Sequence, residues 1–525
     1  MTKALVSKSR NEPVLLLGIV ILVGYWILGY DGITFSDEVV YLQLGHQIWN
    51  NESVISDYHF TSRWGAFFFS GFFTFLLGFS DRYASLATLL FYMLTLVVVW
   101  RISPPALQKW TIVFFVGNVY LLHFLTKVYP DGFLILWVTL IPAAAVWRHK
   151  NPLLAAFVMV ASFFIGFCTK ETIVFLAPFP LLLLLTDVKT GNRLDFYYYF
   201  GGLMLSLAIL YLSYYHWQFG DSLYRFKSVN AGHYISEYTY HDKGLASILK
   251  RITYLPVLTL IDRTYWLWWV MAIPGVYVGV RKKEPIAFEF GASALCLLVG
   301  FWFMSSTLEF YNPIYLNPRH LIILIGPLSV CIAVGAKKWR CSARWKITLA
   351  LLLAAGAAYG ILFGDWKVSL FYLLFAFLLF LPKGKLPFKV MLLVMLLPLV
   401  LSVYYQYQLK NYGLFIDSFR TEVQRVSGNS VLLTHDFIHF SREVLLKTPR
   451  VETAITSISD MKNIKANPPE SLTLFVYQYY RHAYPAEQQY LDRARKWIND
   501  NYSLVHKEEN RWIRIEKYNR QPTGS

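Results

Sequence analysis

The sequence predicts an all-α polytopic membrane protein with a small C-terminal α/β domain outside the bilayer, and three observations carry that reading. Of the 525 residues, 56% are hydrophobic and only 15% are charged, against roughly 25% charged in a soluble domain. The apolar residues gather in blocks of about 15 to 22, the length that crosses a hydrocarbon layer of about 30 Å at 1.5 Å per residue. After residue 404 the blocks cease, and about 120 residues of mixed composition follow, enough for a small domain.

The first block, 14–30, follows Lys3, Lys8 and Arg10. It lacks a small-residue cleavage site and is long enough to span, so it reads as an uncleaved first helix. Segment 31–63 is too polar to span and holds an amphipathic stretch at 37–49. Block 64–79 is short and aromatic and fits either a span or a helix lying along the interface. Charge sorting decides between them, because short cytoplasmic loops collect Lys and Arg. With 64–79 kept on the outer side, the later spans are 83–100, 110–125, 132–147, 152–168, 173–186, 196–215, 266–280, 286–304, 321–334, 347–363, 368–381 and 388–403, about thirteen with the first. The cytoplasmic loops then hold Arg101 and Lys109; Arg148 and Lys150; Lys189 and Arg193; Arg281, Lys282 and Lys283; Lys337, Lys338, Arg340, Arg344 and Lys346; and Lys383, Lys385 and Lys389, almost without acids. The opposite loops are of mixed charge, and counting 64–79 as a span would invert them all.

This arrangement places the N-terminus in the cytoplasm. Outside lie loops 31–82 and 216–263 and the C-terminal part, giving a transmembrane domain at 1–404 and a soluble domain at 405–525. In the latter, SVLLTHDF and SLTLFVYQYY read as buried strands and 437–447 and 484–499 as helices. The basic excess, 49 Lys plus Arg against 32 Asp plus Glu, is explained by topology and requires no nucleic-acid partner. Cys168, Cys296, Cys331 and Cys341 form no CxxC pair and fall in or beside apolar blocks, so neither a disulfide framework nor a zinc site is expected.

Ionisable residues at the ends of apolar blocks are the candidates for chemistry, because charge at membrane depth is costly. Asp37 and Glu38 open the amphipathic stretch; an adjacent carboxylate pair there suits a general base, and equally suits the first turn of a helix. Asp131 lies beside Lys127, Tyr129 and Pro130, and Lys170 with Glu171 separates two blocks, either as functional groups or as a pair neutralising itself. Arg63 precedes WGAFFF and Arg319 opens YLNPRHLIIL together with His320; a guanidinium there holds either a ligand phosphate or bilayer phosphates. Arg225, Lys227, His233, His241 and Asp242 lie in a long Tyr-rich outer loop, of the kind that carries function. The histidines have no HxxxH spacing, so ligand spacing supports no divalent metal site.

Taken in order, Asp37-Glu38 with Tyr41, Arg63-Trp64, Asp131, Thr169-Lys170 and YLNPRHLIILIGP resemble the GT-C glycosyltransferases, in the branch that contains protein O-mannosyltransferases and the lipid A aminoarabinose transferase. The match runs over most of the first 340 residues. Where the transferase pattern reads DETRY this chain reads DEVVY, so Val40 replaces an arginine, and Arg63 stands in place of a lysine.

The resemblance implies a GT-C membrane fold and an inverting transfer of sugar from a polyprenyl-phosphate donor to an extracytoplasmic lipid, glycan or protein, at a bacterial inner membrane and without a cofactor. It implies Asp37 as base with Glu38 beside it, Asp131 orienting a donor or acceptor group, and Arg63, Lys127, Arg225 and Arg319 on the leaving phosphate. Tyr41, Lys170, Glu171 and His233 complete the expected substrate contacts. No GxxxxGK[ST] cradle is present, which suits a lipid-linked donor. The rival reading is a multi-pass transporter or lipid flippase, which would place charges or broken helices at mid-bilayer and show related halves.

Overall fold

The computed structural model describes residues 12–52, 56, 58–231, 239–282, 284–307, 309–382, 385–426, 428–448 and 455–521. The chain is mostly helical up to Arg425 and ends in a five-stranded sheet. Among the described residues, seven helices are long and apolar enough to cross a membrane, or eight when one bent pair is taken as a single span. The expected count of about thirteen exceeds this because several apolar blocks form shorter helices. Glu12–Leu28, Ala287–Phe303 and Trp366–Leu378 are of this kind. The block 110–125 is divided: Asn118 accepts from the Leu121 amide at 2.8 Å and starts a new helix, Val119–Leu125.

That short helix meets Pro130–Val146 at 120°. Pro130 occupies the first helical position, where its missing N–H costs nothing, and it forces Tyr129 into extended backbone. The resulting turn carries Lys127, Tyr129 and Asp131. Proline likewise opens Pro152–Thr169 and Pro318–Leu321, so helix ends near the site are set by the sequence.

Helix Trp64–Leu77 has 14 residues, about 21 Å of rise, too short to cross. It packs on Asp37–Trp49 through two glycines. A Cβ on Gly45 would meet the Phe67 carbonyl oxygen at 2.7 Å, and one on Gly71 would strike the Gly45 carbonyl group. Neither position tolerates a side chain, and the close approach fixes the helix that begins with Asp37.

The C-terminal sheet has the order β2-β1-β3-β5-β4. Strands β1 (Ser430–Thr434) and β2 (Ile455–Ser457) are parallel, as are β1 and β3 (Ser471–Tyr477), with Leu432 opposite both Ile455 and Thr473. Strands β4 (Tyr502–Glu509) and β5 (Ile513–Arg520) add an antiparallel hairpin absent from the sequence reading. The expected helix 437–447 is divided into Asp436–Phe440 and Arg442–Leu446, and 484–499 becomes Glu487–Asn501, which buries Leu491, Ala494 and Ile498. The sheet's core continues into the segment before Asp37: the Phe35 ring lies 5.0 Å from Phe437 and 5.8 Å from Phe415.

Candidate functional site

A cavity of about 550 Å³ gathers Asp37, Tyr41, Arg63, Asp131, Lys170, Glu171, Arg225 and Arg319, eight of the residues singled out in sequence. Each sits at or next to a helix end, except Tyr41, one turn into its helix. Asp37 is the first residue of Asp37–Trp49, Asp131 the second of Pro130–Val146, Lys170 follows Pro152–Thr169, and Arg225 and Arg319 are second in Tyr224–Ala231 and Pro318–Leu321.

Two charge clusters line the cavity. In the first, Asp131 is 1% exposed and receives Lys170 Nζ at 2.7 and 2.9 Å, with His320 Nδ1 at 3.4 Å and Arg319 Nε at 3.7 Å. Lys170 also lies 2.8 Å from His320 Nδ1. Arg319 reaches across to Asp37, Nη2 to Oδ2 at 3.3 Å, and covers the Tyr129 ring at 4.3 Å. In the second, Glu171 bridges Arg63 at 3.0 Å and Arg225 at 3.1 Å. Arg63 Nη1 donates to the Tyr41 hydroxyl at 3.3 Å, and burial pushes the Tyr41 phenol up to about 12, so it keeps its proton for a ligand. Arg225 is 1% exposed and donates to the Phe167 carbonyl at 2.5 Å and the Tyr211 hydroxyl at 3.0 Å.

The three carboxylates differ in exposure. Asp37 is 41% exposed on its side chain, against 28% for Glu171 and 1% for Asp131. Of the three, Asp37 alone is both open to the cavity and held by a single guanidinium contact, at 3.3 Å. Neither Ser36 nor Asp37 caps the helix with its side chain; the Ser36 hydroxyl instead pairs with the Tyr129 hydroxyl at 2.9 Å.

Several expectations require correction. Lys170 and Glu171 do not pair with each other: Lys170 is extended at φ −162° and ψ 140°, which sends the two side chains to different clusters. Glu38 does not line the cavity; it is buried on the far side of its helix, accepting from the Thr34 amide and from Thr34 Oγ1 at 2.7 Å. Lys127 is also buried outside the cavity, bonded to Asp31 and to the Gly32 carbonyl. His233 lies outside the described residues. His320, read only as part of the Arg319 segment, also lines the cavity; its place after Arg319 and directly before an apolar run was the signal in the sequence. Among the described residues no three His, Cys, Asp or Glu side chains converge as a metal site.

A helical membrane fold with a charged cavity built from helix ends, and a small mixed sheet in its C-terminal part, is the class these features define, and the ordered motifs resemble those of the GT-C pattern. In solved structures the same fold occurs in ArnT from Cupriavidus metallidurans. The form bound to undecaprenyl phosphate has a TM-score of 0.62 at 13% identity, over 97% of this chain and 98% of that one. The apo form has a TM-score of 0.57, again at 13% identity and the same coverage. The likeness is one of fold. No family model matches the sequence, and no curated protein matches it.

Proposed function

We propose that this chain is an integral-membrane inverting glycosyltransferase that moves a sugar from a polyprenyl-phosphate donor to an extracytoplasmic acceptor, whether lipid, glycan or protein. The observation that carries the reading is Asp37, an open carboxylate facing a guanidinium at 3.3 Å inside a cavity whose other two carboxylates, Asp131 and Glu171, are each already held by two or more cations. Asp37 takes the proton of the acceptor hydroxyl as that oxygen bonds to the anomeric carbon. The bond from that carbon to the phosphate oxygen breaks, its electron pair leaves on the phosphate, and the configuration inverts. Arg319 and Arg63, the more exposed guanidiniums at 20% and 16%, meet the developing phosphate charge. Asp131 positions Lys170 and Arg319, and Arg225 positions Glu171 and so Arg63. Val40 leaves its helix without the arginine of the related pattern, and Arg319 supplies a guanidinium beside Asp37 from another segment.

A neighbour of the same fold that holds undecaprenyl phosphate supports the polyprenyl class of donor. We assign about thirteen spans within 1–404, a cytoplasmic N-terminus and an extracytoplasmic 405–525 on the charge sorting of the loops, and a bacterial inner membrane on the family resemblance. A transporter or flippase would set its charges at mid-bilayer, whereas these charges cluster at helix ends. Purified protein in proteoliposomes, given radiolabelled polyprenyl-phosphate sugars, is expected to release polyprenyl phosphate and pass label to an acceptor. Movement of intact labelled lipid across the bilayer, with its sugar bond unbroken, would overturn the reading in favour of a flippase.

A further inference from the structure

The helical run Pro318–Cys341 leads away from the cavity and ends at a second, different concentration of charge. Arg319 and Arg340 stand about 31 Å apart along it at 1.5 Å per residue, the thickness of the hydrocarbon layer. Arg340 therefore meets the membrane face opposite the candidate active site.

Three half-buried cations, Lys109, Arg340 and Lys346, converge there on an aromatic cluster. Lys109 Nζ lies 5.4 Å from the centre of the Trp110 ring system and 5.1 Å from that of Phe388, and the Arg340 guanidinium lies 5.1 Å from the same indole. Trp339 and Phe388 pack edge-on against Trp110 at 5.1 and 5.2 Å. Among the described residues no carboxylate pairs with any of the three cations. Trp110 is 3% exposed, and its indole N–H has no acceptor among the described residues. The Trp339 N–H, by contrast, donates to the Ile332 carbonyl at 3.1 Å.

Like charges brought together repel, and a buried donor without an acceptor loses its water for nothing. One multi-oxygen anion relieves both faults. The cleft lined by Trp110, Trp339, Arg340, Lys346 and Phe388, with Lys109 over two of these rings, holds about 30 Å³, room for about one oxygen-sized group rather than a whole molecule. Its other walls are apolar, from Leu378 onward. A headgroup phosphate reaching in from the bilayer, with its acyl chains left in the lipid, fits that shape; basic pockets between helices bind lipid headgroups in this way. We propose that Lys109, Arg340 and Lys346, with the Trp110 N–H, form a binding site for the phosphate of an anionic phospholipid in the leaflet opposite the candidate active site. The site owes nothing to the sugar-transfer reading.

The test is native mass spectrometry of the full-length protein released from mixed phosphatidylcholine and phosphatidylglycerol nanodiscs, with inorganic phosphate as a competing probe. Wild type is expected to retain phosphatidylglycerol over phosphatidylcholine. The double variant K109Q/R340Q should lose about tenfold or more in that retention, two charge-assisted contacts being removed. Trp110→Phe keeps an aromatic side chain while removing the indole N–H, and should weaken retention, with a melting curve confirming that the protein stays folded. Equal retention of the two lipids by wild type would overturn the proposal, as would unchanged phosphatidylglycerol retention in both variants. Occupancy by inorganic phosphate that displaces the lipid would assign the cleft to a soluble anion and overturn the lipid reading.

Discussion

Lys410 and Asp31, 379 residues apart in the chain, meet as a buried ion pair at 3.4 Å, and Lys127 closes the same carboxylate from the turn before Asp131. Lys410 Nζ also donates to the Ile33 carbonyl at 2.9 Å, and the Tyr477 hydroxyl of β3 donates to the Lys410 carbonyl at 2.6 Å. The segment leading to Asp37, the turn leading to Asp131 and the C-terminal sheet are thereby tied at one point.

Burial pushes the Asp31 carboxyl up, but Lys127 and Lys410 more than offset this and hold it well below the usual range. Lys410→Met leaves Asp31 with Lys127 and should cost about 1.5 to 3 kcal/mol, the loss of a buried charge-assisted contact. Asp31→Asn, which leaves both buried lysines without a carboxylate, should cost more than Lys410→Met does. Melting temperatures in detergent read both, and an unchanged Lys410→Met melt would mean the strut is idle.

Asp37→Asn keeps size and much of the hydrogen bonding while removing proton acceptance, so turnover should fall about 10²-fold or more. Donor binding should persist, since a negative charge near an anionic phosphate has been removed. Asn and Asp are about equal at a helix start, so a purely structural Asp37 would leave turnover at the wild-type level. The comparison of turnover with donor affinity decides between the two.

The membrane class and most of the cavity were legible because charge at the end of an apolar block is rare and needs a reason. Partnership was not. Asp37 and Glu38 are adjacent in sequence but about 100° apart around a helix, so one faces the cavity and the other the buried Thr34. Lys127 looked like a phosphate ligand because its partner Asp31 arrives from another segment. The β4–β5 hairpin escaped notice because β4 buries only Tyr502 and so shows no apolar alternation. The expected span count is larger than the seven or eight long apolar helices among the described residues because hydropathy measures a block's apolarity and not where a buried Asn118 divides it.

Arg319→Ala and Arg63→Ala should each weaken donor binding more than folding, by about 1.5 to 3 kcal/mol for a lost charge-assisted contact. Asp131 keeps Lys170 and Glu171 keeps Arg225, so neither variant strips these two buried carboxylates of a cation, and Arg319→Ala releases only the more exposed Asp37. Donor titration in nanodiscs beside a melting curve measures the difference. Normal donor affinity in both variants would remove them from the site.

A reporter fused at Lys447 should be reached only from outside the cell membrane if the charge sorting holds. Labelling from the cytoplasmic side alone would invert the whole arrangement.

Glu38→Gln distinguishes a structural carboxylate from a catalytic one. Burial raises the Glu38 carboxyl above its ordinary value, outweighing the Lys127 charge and the Thr34 hydrogen bonds. The folded state therefore holds this proton to higher pH than the unfolded chain does. On that account stability falls as pH rises from the ordinary glutamate value, near pH 4, through the raised one. Glutamine removes this term, and its amide oxygen still accepts from the Thr34 amide and hydroxyl. The variant should melt at or above the wild-type temperature at neutral pH, with the advantage fading toward about pH 4. Its turnover should stay within a few-fold of wild type, unlike that of Asp37→Asn. A Glu38→Gln enzyme as impaired as Asp37→Asn, with its melt unchanged, would move the proton acceptor from Asp37 to the pair.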